Sequence, residues 1–329
     1  FDWYNRTTSD ILTTANLPAT LGADAPYENM GTIQTKGWEL AIDYRHTFKN
    51  GLHFGVTASV ADDKTEVTKW TYNTKIPSYG ATGWWDKSAY KEGMVLGDIW
   101  GLQFDRFLTE DDFNADGSLK AGLPDQTKVF PAGYQFAPGD VLYKDLDNNG
   151  EIVKQTNTND KGDLSVIGNA LPRLQFGLNL DAAWKGFDIS MFFQGVAKRK
   201  LWAAGNQVLP GFTTGEPFYK GAEDYWTPEN TDAFYPRPMD YKQSASGNYS
   251  VNDRYLLNMA YLRLKTFTVG YSLPKVWLSK FKVQGLRVYF TGENLFTIDG
   301  VKPAIDPEIG IRTASGKSDQ RNFGRSYPY

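Results

Sequence analysis

An acidic loop near the middle of the 329-residue chain carries its sharpest chemical motif. Asp145, Asp147 and Asn149 place oxygen-bearing side chains at the first, third and fifth positions, and Gly150 stands at the sixth. This spacing matches the start of a calcium-binding loop of the EF-hand kind, which holds the ion with oxygen ligands. The twelfth position is Thr156, where such a loop has a glutamate that binds calcium through both of its oxygens.

A shortened calcium loop needs further oxygens to complete the coordination shell. The sequence offers the backbone carbonyl of Glu151 and a downstream carboxylate, either Asp160 or Asp163. We therefore predict a Ca²⁺ site in this loop, with a turn rich in Asx residues and free of metal as the alternative. In either case the expected role of the segment is to stiffen a longer loop.

Catalytic chemistry has little support in the sequence. The chain has no cysteine and two histidines, His46 and His53, which flank one expected hairpin turn and suit strand ends better than a zinc pair. Neither an HExxH nor a GxSxG motif is present. The net charge of −3 lacks the basic excess of nucleic-acid-binding proteins. We predict that the chain is not an enzyme and binds no nucleic acid.

Aromatic residues make up 15% of the chain, and a group of them lies outside the regular segments. Flat rings in such positions can stack on sugars or pack against a lid protein. The alternative is that they close the loops into a compact cap. The residues of this group are Trp84, Trp85, Trp202, Tyr225, Trp226 and Tyr235.

Strict alternation of apolar and polar residues predicts long strands. From Trp38 onward apolar residues occupy every second position, and Asn50-Gly51 follows as a preferred pair for a two-residue type I′ turn. A second hairpin turns at Lys185-Gly186, and a third pair of strands lies in the last quarter of the chain. No apolar run reaches the ~18 residues of a membrane helix, and the mean hydropathy is −0.48. The fold is therefore expected to be all-β.

Long polar stretches separate these hairpins, at about residues 64–170, 198–258 and 298–325. Short periplasmic turns at one end and long extracellular loops at the other are typical of an outer-membrane β-barrel. The alternating stripes match the ~9–11 residues that a tilted strand needs to cross a bilayer. Strands of a soluble β-sandwich, the alternative fold, usually run for ~5–6 residues.

The alternation also predicts which polar residues share one face of the strands. In a barrel whose apolar face meets lipid, the polar face lines the lumen, where it contacts a plug or wets the channel. The residues expected there are Glu39, Asp43, Arg45, Asp181, Asp188, Arg287 and Glu293.

Segments along most of the chain resemble, in order, the C-terminal half of SusC/RagA-type TonB-dependent transporters. They are residues 31–44 (GTIQTKGWELAIDY), 92–107 (EGMVLGDIWGLQFDRF), 138–168, 171–195, 261–274 (YLRLKTFTVGYSLP) and 286–296 (LRVYFTGENLF). The resemblance implies a 22-stranded antiparallel transmembrane β-barrel in the outer membrane of a Gram-negative bacterium. Residues 1–329 would be its C-terminal portion, with the plug domain, the N-terminal strands and the last strand outside this chain.

The resemblance also implies a function. Transporters of this family import oligosaccharides or peptides, take energy from TonB and work with a SusD-like surface lipoprotein as a lid. The expected partners are that lipoprotein, the TonB complex through the N-terminal part, the plug and the rest of the barrel, and outer-membrane lipid. The alternative is a secreted β-rich glycan-binding module or a glycoside hydrolase, which the same aromatic residues and calcium-like loop would suit.

Overall fold

A computed structural model describes residues 1–14, 26–71, 91–154, 161–203, 208–212, 220–239, 247–301 and 305–308. The chain is built of antiparallel strands in these ranges. The strands are β1 (Asp2–Thr14), β2 (Tyr27–Thr47), β3 (His53–Trp70), β4 (Asp98–Gly101), β5 (Phe104–Phe107), β6 (Val141–Tyr143), β7 (Ser165–Asn169), β8 (Arg173–Trp184), β9 (Phe187–Lys198), β10 (Lys200–Leu201), β11 (Leu257–Asn258), β12 (Tyr261–Ser272) and β13 (Arg287–Asp299). The long strands form one seven-stranded main sheet in the order β1-β2-β3-β8-β9-β12-β13.

The two tight turns of the main sheet differ in type. At the β8–β9 turn, Lys185 and Gly186 both have positive φ, +48° and +91°, as a type I′ turn requires. At the β2–β3 turn only Gly51 has positive φ, +81°. The type I′ prediction for Asn50-Gly51 is therefore wrong. The Asn50 side chain instead accepts a hydrogen bond from the Leu52 N–H at 3.1 Å, and Gly51 alone takes the left-handed conformation.

A longer connection joins β12 to β13 and holds the one-turn helix α1 (Lys275–Leu278). In the part of the chain that the structure describes, no helix is long and apolar enough to cross a bilayer. The register of β12 shifts between Leu264 and Thr266 against both of its neighbours, so the strand is irregular at Lys265.

The polar stretches hold more regular structure than their composition indicates. β3 continues to Trp70, beyond the expected start of the first loop near residue 64. Polar residues in this part of β3 break the alternating pattern by which the sequence predicts strands. Hydrogen bonds with β2 and with the following segment stabilise it as a strand, including the bond from the Val67 N–H to the Met94 carbonyl at 2.8 Å. Small two-stranded sheets, β4–β7, β5–β6 and β10–β11, lie within the first two stretches.

The main sheet has one apolar face, which is largely exposed. One row across the strands carries Ile42, Leu178, Phe193 and Phe296, and these residues define the apolar face. Ile42 is 55% exposed and Phe296 is 45% exposed. A contiguous exposed apolar surface of this kind marks contact with lipid or with another protein.

The buried hydrophobic core lies in the long connections. One cluster gathers around Trp202, Leu209 and Tyr255, and a second gathers around Phe130 and Tyr143. These clusters give the connections hydrophobic cores of their own, so the connections form compact bodies at one end of the sheet.

We predict that Gly186→Ala destabilises the β8–β9 hairpin. The residue has φ +91°, and an added Cβ would lie 2.8 Å from the Ser272 carbonyl oxygen. Strain of this kind costs about 1–3 kcal/mol. The urea midpoint of the full-length protein in detergent measures the loss. Gly285→Ala is the matched control, because its Cβ meets no atom of the described residues within 4 Å, and equal midpoints for both variants would contradict the prediction.

Candidate functional site

The strand register places all seven of the predicted lumen residues on one side of the main sheet, here called the polar face. The row that begins at Asp43 crosses the intervening strands and ends at Glu293. Thr57 donates to Asp43 at 2.6 Å, and Arg287 pairs with Asp188 at 2.5 Å. The other residues of the set, Glu39, Arg45 and Asp181, follow at even spacing along the same strands. That this face lines a lumen stays a prediction.

A hollow of about 530 Å³ lies over the polar face. Its lining includes Glu39, Gln175 and Gln194, together with the half-exposed ring of Phe192. Amide and carboxylate groups around one ring can hydrogen-bond a polar molecule while the ring covers its apolar part.

A buried ion cluster on the same face escapes sequence reasoning. The Arg263 side chain is 5% exposed and contacts Asp306 and Glu308, each at 2.7 Å. Lys265 also pairs with Glu308 at 2.8 Å. The cluster fastens residues 305–308 to β12. Local patterning gives no signal for it, because the acidic partners lie more than 40 residues along the chain in a polar stretch.

The predicted contact aromatics separate into two groups. Trp202 and Trp226 are 1% and 7% exposed and belong to the loop cores, which agrees with the compact-cap alternative for these two rings. Tyr225 is 40% exposed. Tyr235 is 8% exposed and belongs to the same core cluster as Trp202, but it also lines one cavity together with Tyr225. Trp84 and Trp85 lie outside the described residues.

Backbone pairing fixes the segment on each side of that cavity. The Trp226 N–H donates to the Tyr235 carbonyl at 3.0 Å, and the Tyr235 N–H donates to the Asp224 carbonyl at 2.9 Å. On the other side of this segment, the Arg237 N–H donates to the carbonyl of Gly139, which belongs to a third segment, at 3.0 Å. The three segments therefore lie side by side as a short ladder.

A fully buried carboxylate anchors this ladder. Asp140 is 0% exposed and accepts hydrogen bonds from Arg237 at 2.8 Å, Tyr134 at 2.8 Å and Asn248 at 3.0 Å. Burial, and then the charge of Asp140, raise the pKa of Tyr134, so its hydroxyl stays protonated as a donor. A buried charge is tolerated only where it is paired and hydrogen-bonded in this way.

The acidic loop brings three carboxylates of the predicted calcium site together. Ligand oxygens of Asp145, Asp147 and Asp163 all lie within 4.8 Å of one another. Asp163 is fully buried and accepts hydrogen bonds at 2.8 Å from the backbone of Leu146 and of Val153, which fixes its position. The close approach of three carboxylates is costly unless a cation or other donors offset their charge.

Asp145 has one oxygen bound and one free. Its Oδ2 accepts from the Gly150 N–H at 2.8 Å, whereas Oδ1 is buried and has no hydrogen-bond partner among the described residues. Desolvation alone would raise the pKa of Asp145, but backbone donors such as Gly150 outweigh it and lower the pKa. The group is therefore ionised at neutral pH, as a calcium ligand must be.

The remaining predicted ligands are placed less directly. The Asn149 side-chain oxygen accepts from the Glu151 N–H at 2.7 Å, and the Glu151 carboxylate is paired with Lys128. The prediction used only the backbone carbonyl of Glu151, which that ion pair leaves free to coordinate. Asp160 lies outside the described residues.

The sequence of the chain is similar to those of known receptors. No family model matches the chain. It is 27% identical over 336 residues to TonB-dependent receptor P3 of Formosa agariphila, across 99% of this chain and 30% of that receptor. It is 22% identical over 317 residues to TonB-dependent receptor SusC of Bacteroides thetaiotaomicron, across 94% of this chain and 27% of that receptor. The chain thus spans less than a third of the length of these relatives.

Solved structures match the fold. The RagAB peptide transporter superposes with a TM-score of 0.65 at 19% identity, over 94% of this chain and 30% of the matched one. The RagAB peptide importer in its 'closed-closed' state gives a TM-score of 0.61. The count of 22 strands stays a prediction. The agreement in sequence and in fold confirms the predicted resemblance of this all-β chain to the SusC/RagA-type TonB-dependent transporters.

Proposed function

We propose that the protein to which this chain belongs imports an oligosaccharide or a peptide across the outer membrane of a Gram-negative bacterium, driven by TonB. The observation that carries the proposal is the main sheet, whose apolar face is exposed while its opposite face bears ion pairs such as Arg287–Asp188. A sheet of this kind suits a barrel wall between lipid and a water-filled lumen. The similarity to TonB-dependent receptors over 99% of the chain supports the same assignment.

The outer strands of the main sheet support its continuation into a larger barrel. Among the described residues β1 pairs only with β2, and β13 pairs only with β12. Open edges and lipid-facing side chains are unstable together, because unpaired backbone groups cannot be satisfied in hydrocarbon. We therefore assign residues 1–329 to the C-terminal portion of the barrel, closed by strands and filled by a plug from the rest of the protein.

The ordered connections are consistent with a partner protein that binds on the extracellular side. In our proposal the long loops are extracellular, and a SusD-like lipoprotein covers them as a lid. Two solved relatives are described as the RagAB importer in 'open-open' and 'closed-closed' states, which is what a lidded transporter would show. Loops that carry their own hydrophobic cores offer a firm surface for such docking.

Membrane extraction of the full-length protein tests the proposal against the secreted alternative. We expect it to fractionate with the outer membrane, to need detergent for extraction, and to migrate differently on a gel before and after heating. Closed barrels resist unfolding by detergent until heated, which explains the expected shift. A monodisperse monomer in aqueous buffer would contradict the import function and favour a glycan-binding module or a glycoside hydrolase.

We also propose that the acidic loop binds one Ca²⁺ ion, with Asp145, Asp147 and Asp163 among its ligands. The buried Asp145 Oδ1, which has no hydrogen-bond partner among the described residues, and the three clustered carboxylates support the proposal, because calcium prefers hard oxygen ligands. Bound calcium would tie residues 145–152 to Asp163 and so stiffen the base of the first long connection.

Asp147→Ala tests the calcium site. We expect the variant to lose about one equivalent of calcium per protein, measured by elemental analysis of the full-length protein, and to be cut faster by protease in this loop. Asp111→Ala is the matched control, since Asp111 is an exposed aspartate of the same connection outside the cluster. Unchanged calcium content and protease resistance in Asp147→Ala would show that the loop is a metal-free turn.

A further inference from the structure

We propose that the cavity lined by Tyr225, Tyr235 and Tyr249, here called the tyrosine pocket, binds an extended peptide and seats a proline or similarly compact apolar side chain. The inference deepens the proposed import function, on which it rests, by naming the substrate class. It also assigns a role to Tyr225 and Tyr235, two of the aromatic residues that the sequence indicates as candidates for contact with a sugar or a lid protein.

The pocket has the size and lining of a small-ligand site. It encloses about 550 Å³, within the ~300–1,000 Å³ usual for such sites. Three prolines, Pro210, Pro236 and Pro238, stand among its tyrosines. Surfaces built of aromatic rings dock proline-rich segments elsewhere, because an extended proline helix is already ordered and loses little entropy on binding.

The walls of the pocket are fixed before any ligand arrives. The Tyr235 ring stacks on Tyr255 with 6.0 Å between centroids, and Tyr249 meets Tyr255 edge-on at 5.3 Å. The Asp140–Arg237 ion pair holds the segment between Pro236 and Pro238 in place. A preformed site of this kind avoids the cost of ordering loops when a ligand binds.

The charges on the pocket favour a peptide over a sugar. Lys220 and Glu223 both belong to its lining, so the site offers one positive and one negative group. A peptide presents carbonyl acceptors and N–H donors, and free ends of both signs, which such a pair can contact. Among the described lining residues there is no Asn, Gln, Asp or Trp, so Lys220, Glu223 and the tyrosines are the lining side chains that carry hydrogen-bonding groups.

The two buried tyrosines of the pocket are uncharged. Burial raises the pKa of Tyr235 and raises that of Tyr249 well above its ordinary value. Both side chains therefore keep their protons at any physiological pH and stay neutral beside a bound peptide.

Calorimetric titration of the purified full-length protein in detergent tests the pocket. The probes are the hexapeptide Ala-Ala-Pro-Pro-Ala-Ala, its analogue with Gly-Gly at the centre, and maltohexaose. We expect the proline peptide to bind at least tenfold more tightly than the other two. Tyr225→Ala should weaken its binding at least tenfold, because the exposed ring forms one wall, whereas Tyr225→Phe should retain most of it.

Tyr27→Ala serves as the matched control, because Tyr27 is a 73% exposed tyrosine at the start of β2 and lies outside the pocket. Equal affinity of the proline peptide for the wild type and for Tyr225→Ala would overturn the pocket assignment. Preferential binding of maltohexaose would overturn the ligand class. Neither result would contradict the proposed import function. That function would be contradicted separately if the protein did not fractionate with the outer membrane.

Discussion

The unlike faces of the main sheet constrain everything else in the molecule. Residues of one parity, such as Ile42 and Phe296, form an apolar surface that no described part of the chain covers. Residues of the other parity carry ion pairs and hydrogen bonds, including Asp43 with Thr57. Since the side-chain period of a strand is two, a slip of one residue would exchange the two faces completely. The register is therefore fixed by the need to keep charge away from the apolar side.

The long connections are stabilised by burial of their own side chains. Long connections lose much conformational entropy when they become ordered, so they need burial of their own. Two hydrophobic clusters and the Asp140–Arg237 pair supply it, and the ladder that this pair anchors carries the tyrosine pocket. The acidic loop at Asp145 and the Arg263 cluster act in the same way at other points, each tying a connection to a fixed part of the fold.

Sequence patterns predicted the features that are local. Alternation from Trp38 onward indicated the long hairpins and the polar face, and the spacing of Asp145 and Asp147 indicated a cluster of oxygens. The type I′ prediction for Asn50-Gly51 is wrong because the Asn50 side chain accepts the Leu52 N–H and Asn50 itself has no positive φ. Sequence reasoning could not find features that depend on distant partners. The Arg263–Asp306 ion pair joins residues that lie far apart along the chain, and so does the tyrosine pocket. Contacts between such distant residues produce no periodic pattern in the sequence.

Accessibility along β2 tests the central claim most directly. The chain has no cysteine, so single cysteines can be placed at successive positions such as Ile42→Cys and Asp43→Cys, with any cysteines elsewhere in the full-length protein replaced. Spin labels at these positions in liposomes report collisions with oxygen, which concentrates in lipid, and with a water-soluble nickel complex. The account predicts strict alternation, with position 42 open to oxygen and position 43 open to nickel. Equal access of nickel to both positions would contradict it.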